Sequence, residues 1–466
     1  MWLSSPSFIR GSLPAFFCFM CFMVSVPLRS QEKSNAPAAA ASAPILSVPV
    51  NADSSDVPML LPPPVSGQNY PLSFTSEERS NYLRGGITFN SAYSDNVLAA
   101  TSARPVSDVS YSVWPTIALD ETTPRLHTVV TYAPGFTFYQ RTSSYNQADQ
   151  ALSFDLQYRL SPHVTVSLRD SLQKSSDIFN QPNQGFAGAI SGAVQATNQS
   201  VVAPLADLLS NNGNAGISYQ FSANAMVGAS GTFTNLHYPN PNQVPGLYDA
   251  ASRGGSAFYS YRAARQHYVG VIYQYQELLS YPAAATNQTQ TDAVFLFYTY
   301  YPTRTFSFSL FGGPQYYSTG PQVVSVAQPP VAPSQSWTPA AGVSLNWQAR
   351  HTALSLAYSR TVSSGGGLVG AVKLDSVNAS IRQQMTKNLD LSFAGAYANN
   401  GVLAISALGG HSISASAAVQ RTVGQHVRLQ GGYTRLHQDY SFISLNPDTN
   451  REWVSISYQF ARPLGR

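Results

Sequence analysis

From residue 82 to residue 460, apolar side chains alternate with small or polar ones, and this period of two constrains the chain more than any other feature. In residues 151–160, Leu152, Phe154, Leu156, Tyr158 and Leu160 interleave with Ser153, Asp155, Gln157 and Arg159. Near the end, Val454, Ile456, Tyr458 and Phe460 interleave with Ser455, Ser457 and Gln459. Side chains on a strand point alternately to opposite faces, so this pattern predicts strands with one apolar and one polar face. Only 10% of the residues are charged, against about 25% in soluble domains. Mean hydropathy is nevertheless −0.11, which excludes a bundle of membrane-spanning helices. An apolar share of 44%, with 12% aromatic residues, excludes disorder over most of the chain. A large sheet with one face in hydrocarbon and the other in water satisfies all of these constraints.

Eighteen strands fit between residues 82 and 461. Their connections alternate without a break. Short turns are expected at 121–124, 161–162, 223–224, 265–266, 302–303, 349–350, 385–387 and 422–425. Long loops are expected at 95–108, 141–149, 175–212, 237–251, 281–290, 318–336, 361–370, 398–410 and 437–450. This sorting belongs to outer-membrane barrels, with short periplasmic turns and long external loops; a soluble sandwich has no reason for it. The fold class expected is therefore all-β: a transmembrane antiparallel β-barrel of about 18 strands spanning 82–466, with both of its ends in the periplasm. Pro115 and Pro134 are expected to interrupt their strands.

Ahead of the barrel, Arg10 precedes the apolar run LPAFFCFMCFMVSVPL at 13–28. This is short for a spanning helix and suits a signal peptide over residues 1–30, with cleavage near Ser30 or within Ala38–Ala43. Export then implies a Gram-negative envelope and the bacterial outer membrane. Residues 31–81 are rich in Pro and Ala and read as a periplasmic linker, with one helical turn at Ser76–Asn81. Both cysteines, Cys18 and Cys21, lie in the apolar run. A disulfide framework and a cysteine-based metal site or nucleophile are thereby excluded from the mature chain.

Two short stretches, Tyr93-Ser94-Asp95-Asn96-Val97 and Tyr132-Ala133-Pro134-Gly135-Phe136, resemble a β-barrel porin family of bacterial outer-membrane proteins, some linked to surface polysaccharide. The likeness extends in layout over residues 82–460. It implies an outer-membrane pore or export barrel and supplies no functional residues. The closing strand, ending in Phe460, also resembles the terminal aromatic that such proteins present to the barrel-assembly machinery. Six residues follow Phe460 here, where the strict form ends on the aromatic.

Side-chain parity places Arg84, Arg159, Arg169, Arg262, Arg382 and Arg428 on the lumen face, together with Asp120, Asp155 and Asp390. A ring of arginines would favour anions or acidic sugars; the plainer reading is that they snorkel or pair with the aspartates. The longest loop, 175–212, is unusually apolar, and Phe186, Ile190, Val201, Leu205 and Leu208 are candidates for a constriction folded into the lumen. Tyr82, Tyr93, Tyr111, Tyr139, Tyr281 and Tyr301 suit interfacial girdles.

None of the eight histidines has metal-ligand spacing, and His411-Ser412 is the nearest thing to a catalytic pair. No nucleophile elbow is present. Gly-rich Ser363–Gly367 lacks the helix and lysine of a phosphate cradle. The expectation is a non-enzymatic channel without cofactor or metal. It would sit in outer-membrane lipid as a monomer or homotrimer, pass small hydrophilic solutes or saccharides, and bind no nucleic acid. The alternatives are an export or anchoring barrel of an exopolysaccharide assembly, and a closed structural or adhesive barrel.

Overall fold

A computed structural model describes residues 81–98, 105–176, 207–240, 243, 246–282, 285–303, 305–323, 329–403, 409–441 and 448–463. All of them belong to one unit, Ala43–Arg466. Branched and aromatic residues alternating with Ser, Thr, Asn and Gln give strands of 12 to 17 residues. A tilted strand needs about 9–11 residues to cross a bilayer, so each is long enough. The first nine are β1 (Tyr82–Ser94), β2 (Asp108–Thr122), β3 (Leu126–Tyr139), β4 (Gln147–Arg159), β5 (Val164–Ser175), β6 (Leu208–Ser222), β7 (Ala225–His237), β8 (Ala250–Ala264) and β9 (His267–Ser280). The second nine are β10 (Asn287–Thr303), β11 (Phe306–Thr319), β12 (Ser334–Gln348), β13 (Thr352–Ser364), β14 (Ala371–Thr386), β15 (Leu389–Val402), β16 (Gly409–Val423), β17 (Val427–Tyr440) and β18 (Asp448–Pro463).

Each strand pairs antiparallel with its neighbours in sequence, and β1 pairs β18 from Tyr82↔Pro463 to Ser94↔Arg451. The 18-stranded sheet is therefore a closed ring. Strands about 4.8 Å apart and tilted about 40° would close into a ring roughly 35 Å across. All the expected strands are present, and the short turns fall at one end of the sheet. Gly424, at φ 66°, takes the left-handed conformation that the tight β16–β17 turn needs. The expected helical turn at 76–81 lies outside the described residues except for Asn81, whose side-chain oxygen accepts the Thr122 N–H at 2.9 Å. Several boundaries differ from expectation: β6 starts at Leu208 rather than 213 and β10 at Asn287 rather than 291, while β13 ends at Ser364 rather than 360 and β15 at Val402 rather than 397. Ladder pairing lengthens these strands at the expense of their loops.

Prolines act where their missing N–H would have joined a ladder. The β2–β3 register skips 114–116 around Pro115, and the strands continue beyond it. Pro134 keeps its place opposite Gln150.

The outer face carries the apolar half of the alternation. Phe89, Ile117, Phe136, Ile217, Leu296, Val343, Phe393 and Ile456 are exposed around the ring. In water this would be an untenable apolar band; in hydrocarbon it is the surface that holds the barrel in place. Tyr93 and Tyr111 lie on this face near the long-loop end. Tyr139 and Tyr301, expected in the girdles, turn inward instead: Tyr139 packs on Val97, and Tyr301 stands edge-on to Tyr268. Both have the parity of the inner face.

Several aromatic rings lie flat over a glycine on the next strand. Phe297 covers Gly270, Phe311 covers Gly342, Phe258 covers Gly228 and Trp114 covers Gly135. The missing side chain is what lets the ring lie against the wall rather than project into the lumen.

Candidate functional site: the lumen

The inner face is lined largely by hydroxyls that bond across strands. Thr88 and Ser457 share a hydrogen bond at 3.0 Å, Ser230 and Ser256 at 2.8 Å, Ser355 and Ser380 at 2.6 Å, and Ser359 and Ser376 at 2.8 Å. Such a wall is wettable and carries no net charge. It is interrupted on β8–β12 by an apolar patch of Phe258, Ile272, Phe295, Phe297, Phe311 and Ala340, which the sequence reading did not anticipate.

The lumen arginines are mostly engaged. Arg84 Nη2 meets Asp120 Oδ2 at 3.1 Å, and His127 Nε2 lies 3.7 Å from the other oxygen of the same carboxylate. Arg169 faces Asp155 directly across the β4–β5 ladder and donates from Nε at 2.8 Å. Arg382 Nη2 reaches Asp390 at 2.9 Å. Arg262 donates to Asn224 Oδ1 at 3.0 Å and to the Ala223 carbonyl at 2.8 Å, gripping the β6–β7 turn. Its partners are neutral, so its charge is undiminished. Arg159 ends β4, and its backbone N–H donates to the Arg125 carbonyl at 2.7 Å. Arg428 is on the same wall as Arg382 and Asp390, with the hydrogen-bonded pair Gln420 and Gln430 at 2.7 Å between. The structure thus brings all three aspartates to three of the six arginines. Each such pair is partly exposed and stabilises the fold little. Its larger effect is to turn a charge into a local dipole.

Among the constriction candidates, Phe186, Ile190, Val201 and Leu205 lie outside the described residues. Leu208 begins β6 and packs against a buried apolar cluster of Leu236, Tyr238, Leu247, Ala250, Leu368, Val372, Val402 and Tyr440. This cluster joins β7, β8 and their loop to β14, β15 and β17, elements far apart around the ring. What brings them together is the connection between β13 and β14. The end of β13 and the start of β14, Thr361–Leu374, turn into the lumen.

The register shows how. β13 pairs β14 up to Ser364↔Ala371, but pairs β12 only up to Ala341↔Arg360. Beyond that point the Val362 N–H donates instead to Oε1 of Gln315 on β11, at 3.1 Å. Val362 and Ala371 have the parity of lipid-facing residues, yet they are buried against Leu278 of β9. Odd-numbered residues of β12 direct their N–H toward β13, as the Ala349 N–H to Thr352 carbonyl bond at the turn shows, and one of them is Pro339. The ladder ends where proline removes its next donor.

The tip of this hairpin is held by the β7–β8 loop and by β9. The Tyr248 N–H donates to the Gly367 carbonyl at 2.7 Å, and the Gly370 N–H to Ser280 Oγ at 2.9 Å. Gly366, Gly367 and Gly370 have φ of 63°, 104° and 80°, which explains glycine at these three positions. Burial pushes the Tyr238 phenol above its ordinary range, and the charge of Asp249 adds to this. The sequence signal was present in Gly-Gly-Gly-Leu-Val-Gly, an apolar pair framed by glycines.

His411 and Ser412, adjacent in sequence, point to opposite faces of β16. Among the described residues no group of three His, Cys, Asp or Glu is placed to hold a metal ion.

A closed barrel with an apolar exterior and a hydroxyl-lined interior defines an integral membrane protein of the bacterial outer-membrane type. No family model matches the chain, and no curated protein matches it. Solved structures similar to it are outer-membrane barrels. OpdK of Pseudomonas aeruginosa, solved with vanillate, is 9% identical, with 82% of this chain and 99% of that one covered and a TM-score of 0.39. OccAB4 of Acinetobacter baumannii is 9% identical over 83% and 100%, with a TM-score of 0.39. The unliganded ferric citrate transporter FecA is 10% identical over 78% of this chain, with a TM-score of 0.38, and the chain spans 60% of its length.

Proposed function

We propose that the chain is an outer-membrane channel that passes small hydrophilic solutes by diffusion. The observation that carries this reading is the closed ring whose lipid side is apolar and whose lumen side is a ladder of hydroxyls. A ring of this size leaves an aqueous path that side chains alone do not fill. The lumen walls offer hydrogen bonds at low charge, which suits neutral or weakly charged polar solutes such as saccharides. Selection follows from size and from the Arg–Asp dipoles rather than from covalent chemistry. No catalytic group, cofactor or metal is required.

A second reading has its own observation. The apolar cluster around Leu368 joins distant walls at the long-loop end, as expected of a conduit closed at rest and opened within an export or surface assembly. One experiment tests both. Purified chain is reconstituted in a planar bilayer in KCl with a salt gradient. Stepwise conductance supports the diffusion channel. A silent barrel that is folded by its heat-dependent gel mobility refutes it in favour of the closed conduit.

A further inference from the structure

We infer that Thr361–Leu374 is a gate with two seats, one inside the lumen and one on the free edge of β12; this rests on the channel reading above. The inner seat is the one occupied. In it, Val362 and Ala371 lie on Leu278, and Leu368 and Val372 are fully buried in the cluster that joins β7 and β8 to β14, β15 and β17. Polar contacts fix the position: Val362 N–H to Gln315, Gly370 N–H to Ser280, and Tyr248 N–H to the Gly367 carbonyl.

The second seat is written in the register. The seven residues Ser334–Ala340 of β12 pair with β11 on one side and have no strand partner in β13 on the other. Continuing Ala341↔Arg360 by the same rule sets Ala340 opposite Thr361, Thr338 opposite Ser363 and Trp337 opposite Ser364. The hairpin would then complete the wall, and Val362 would face lipid as Leu356 and Tyr358 do. Pro339 withholds one ladder bond from this seat. The outer seat is thus geometrically ready but weakened, while the inner seat is apolar and well packed. Two alternative packings of one segment make a bistable element, with the inner one favoured at rest. The hinge is at Arg360, whose guanidinium lies 3.5 Å from Asp375 across the hairpin base.

The test uses the full chain with Cys18→Ser and Cys21→Ser, the only native cysteines. Leu278→Cys with Val362→Cys reports the inner seat, and Thr338→Cys with Ser363→Cys the outer. Each pair is oxidised in vesicles and then recorded in bilayers before and after reduction. Both pairs should cross-link. The inner lock should suppress conductance, the outer lock should raise it severalfold, and reduction should restore the parent level. Equal current from both locks overturns the gate and leaves the channel standing. Failure of the Thr338–Ser363 pair to cross-link overturns the second seat. Two effective locks with no current in either overturn gate and channel together. Should a lock fail to assemble, Pro339→Val, which restores the edge donor, should raise conductance; an unchanged value counts against the gate.

Discussion

Gly342→Ala isolates the contact between wall glycines and the rings that cover them. Gly342 on β12 faces Phe311 on β11, and the three atoms nearest to a methyl at Gly342 all belong to the Phe311 ring, well inside van der Waals contact. The ring has little room to retreat. It is buried among Ile272, Ala293, Phe297 and Ala340, with Phe295 edge-on at 5.7 Å. Overpacking of this kind costs about 1–3 kcal/mol, offset by about 0.5–1 kcal/mol because alanine suits a strand better than glycine. The net expected loss is about 1–2 kcal/mol. Phe311→Ala alone should cost about 3–5 kcal/mol. In that background Gly342→Ala should be neutral or slightly stabilising, so the two changes should couple by about 1–3 kcal/mol. Urea titration in lipid vesicles, followed by tryptophan fluorescence and gel mobility, measures this. Gly401→Ala is the control, since a methyl there meets nothing within 4 Å. An equal penalty for Gly342→Ala with and without the Phe311 ring would refute the reasoning.

Other predictions concern the lumen. Leu368→Ala removes a fully buried side chain from the cluster that seats the hairpin. About 3 kcal/mol of lost packing should shift the closed-to-open ratio by roughly two decades, read as time-averaged conductance in bilayers. The Tyr238 phenol is raised in the closed state, so its contribution is complete below the ordinary phenol value of about 10 and lost as pH climbs through the raised one. Conductance should therefore increase as pH rises above the ordinary phenol value, and Tyr238→Phe should flatten the dependence; Asp249, whose carboxylate is hydrogen-bonded to His237 at 2.6 Å, is the neighbouring charge. Asp155→Asn unmasks Arg169 and should move the reversal potential toward anions, whereas neutralising Arg84, Arg169 and Arg382 together should move it toward cations. No movement in either would mean that these pairs lie away from the conducting path.

The strands were legible because alternation and turn placement are local properties of the chain. Some of the ion pairs were legible too. Asp155 and Arg169 are equidistant from the turn at 161–162, so folding that hairpin sets them opposite one another, and Arg382 and Asp390 flank the turn at 385–387 closely enough to become diagonal neighbours across it. Arg84 and Asp120 needed the register across a long loop, which no local pattern fixes. The inward hairpin was hidden for a different reason. Val362 and Ala371 keep the parity of lipid-facing residues, and an apolar side chain satisfies hydrocarbon and a protein core equally well. Only Pro339, which withdraws a donor from one particular edge, distinguishes the two, and its effect depends on which neighbour that edge would have met.

The β12–β13 seam carries eight residue pairs, fewer than any other seam among the described residues, while the seam between the first and last strands carries thirteen. Joining the peptide between two strands is thus not what decides how firmly they are sewn. Tyr82 already sits opposite Pro463, so a turn of a few residues could splice those ends. New ends could then be cut at Ala349-Arg350, which would put the chain break at the weakest ladder. Such a circular permutant should reach the same ring from a strand order beginning at β13, with the chain break at the short-turn end of that seam and the hairpin door still a continuous thread at the other end.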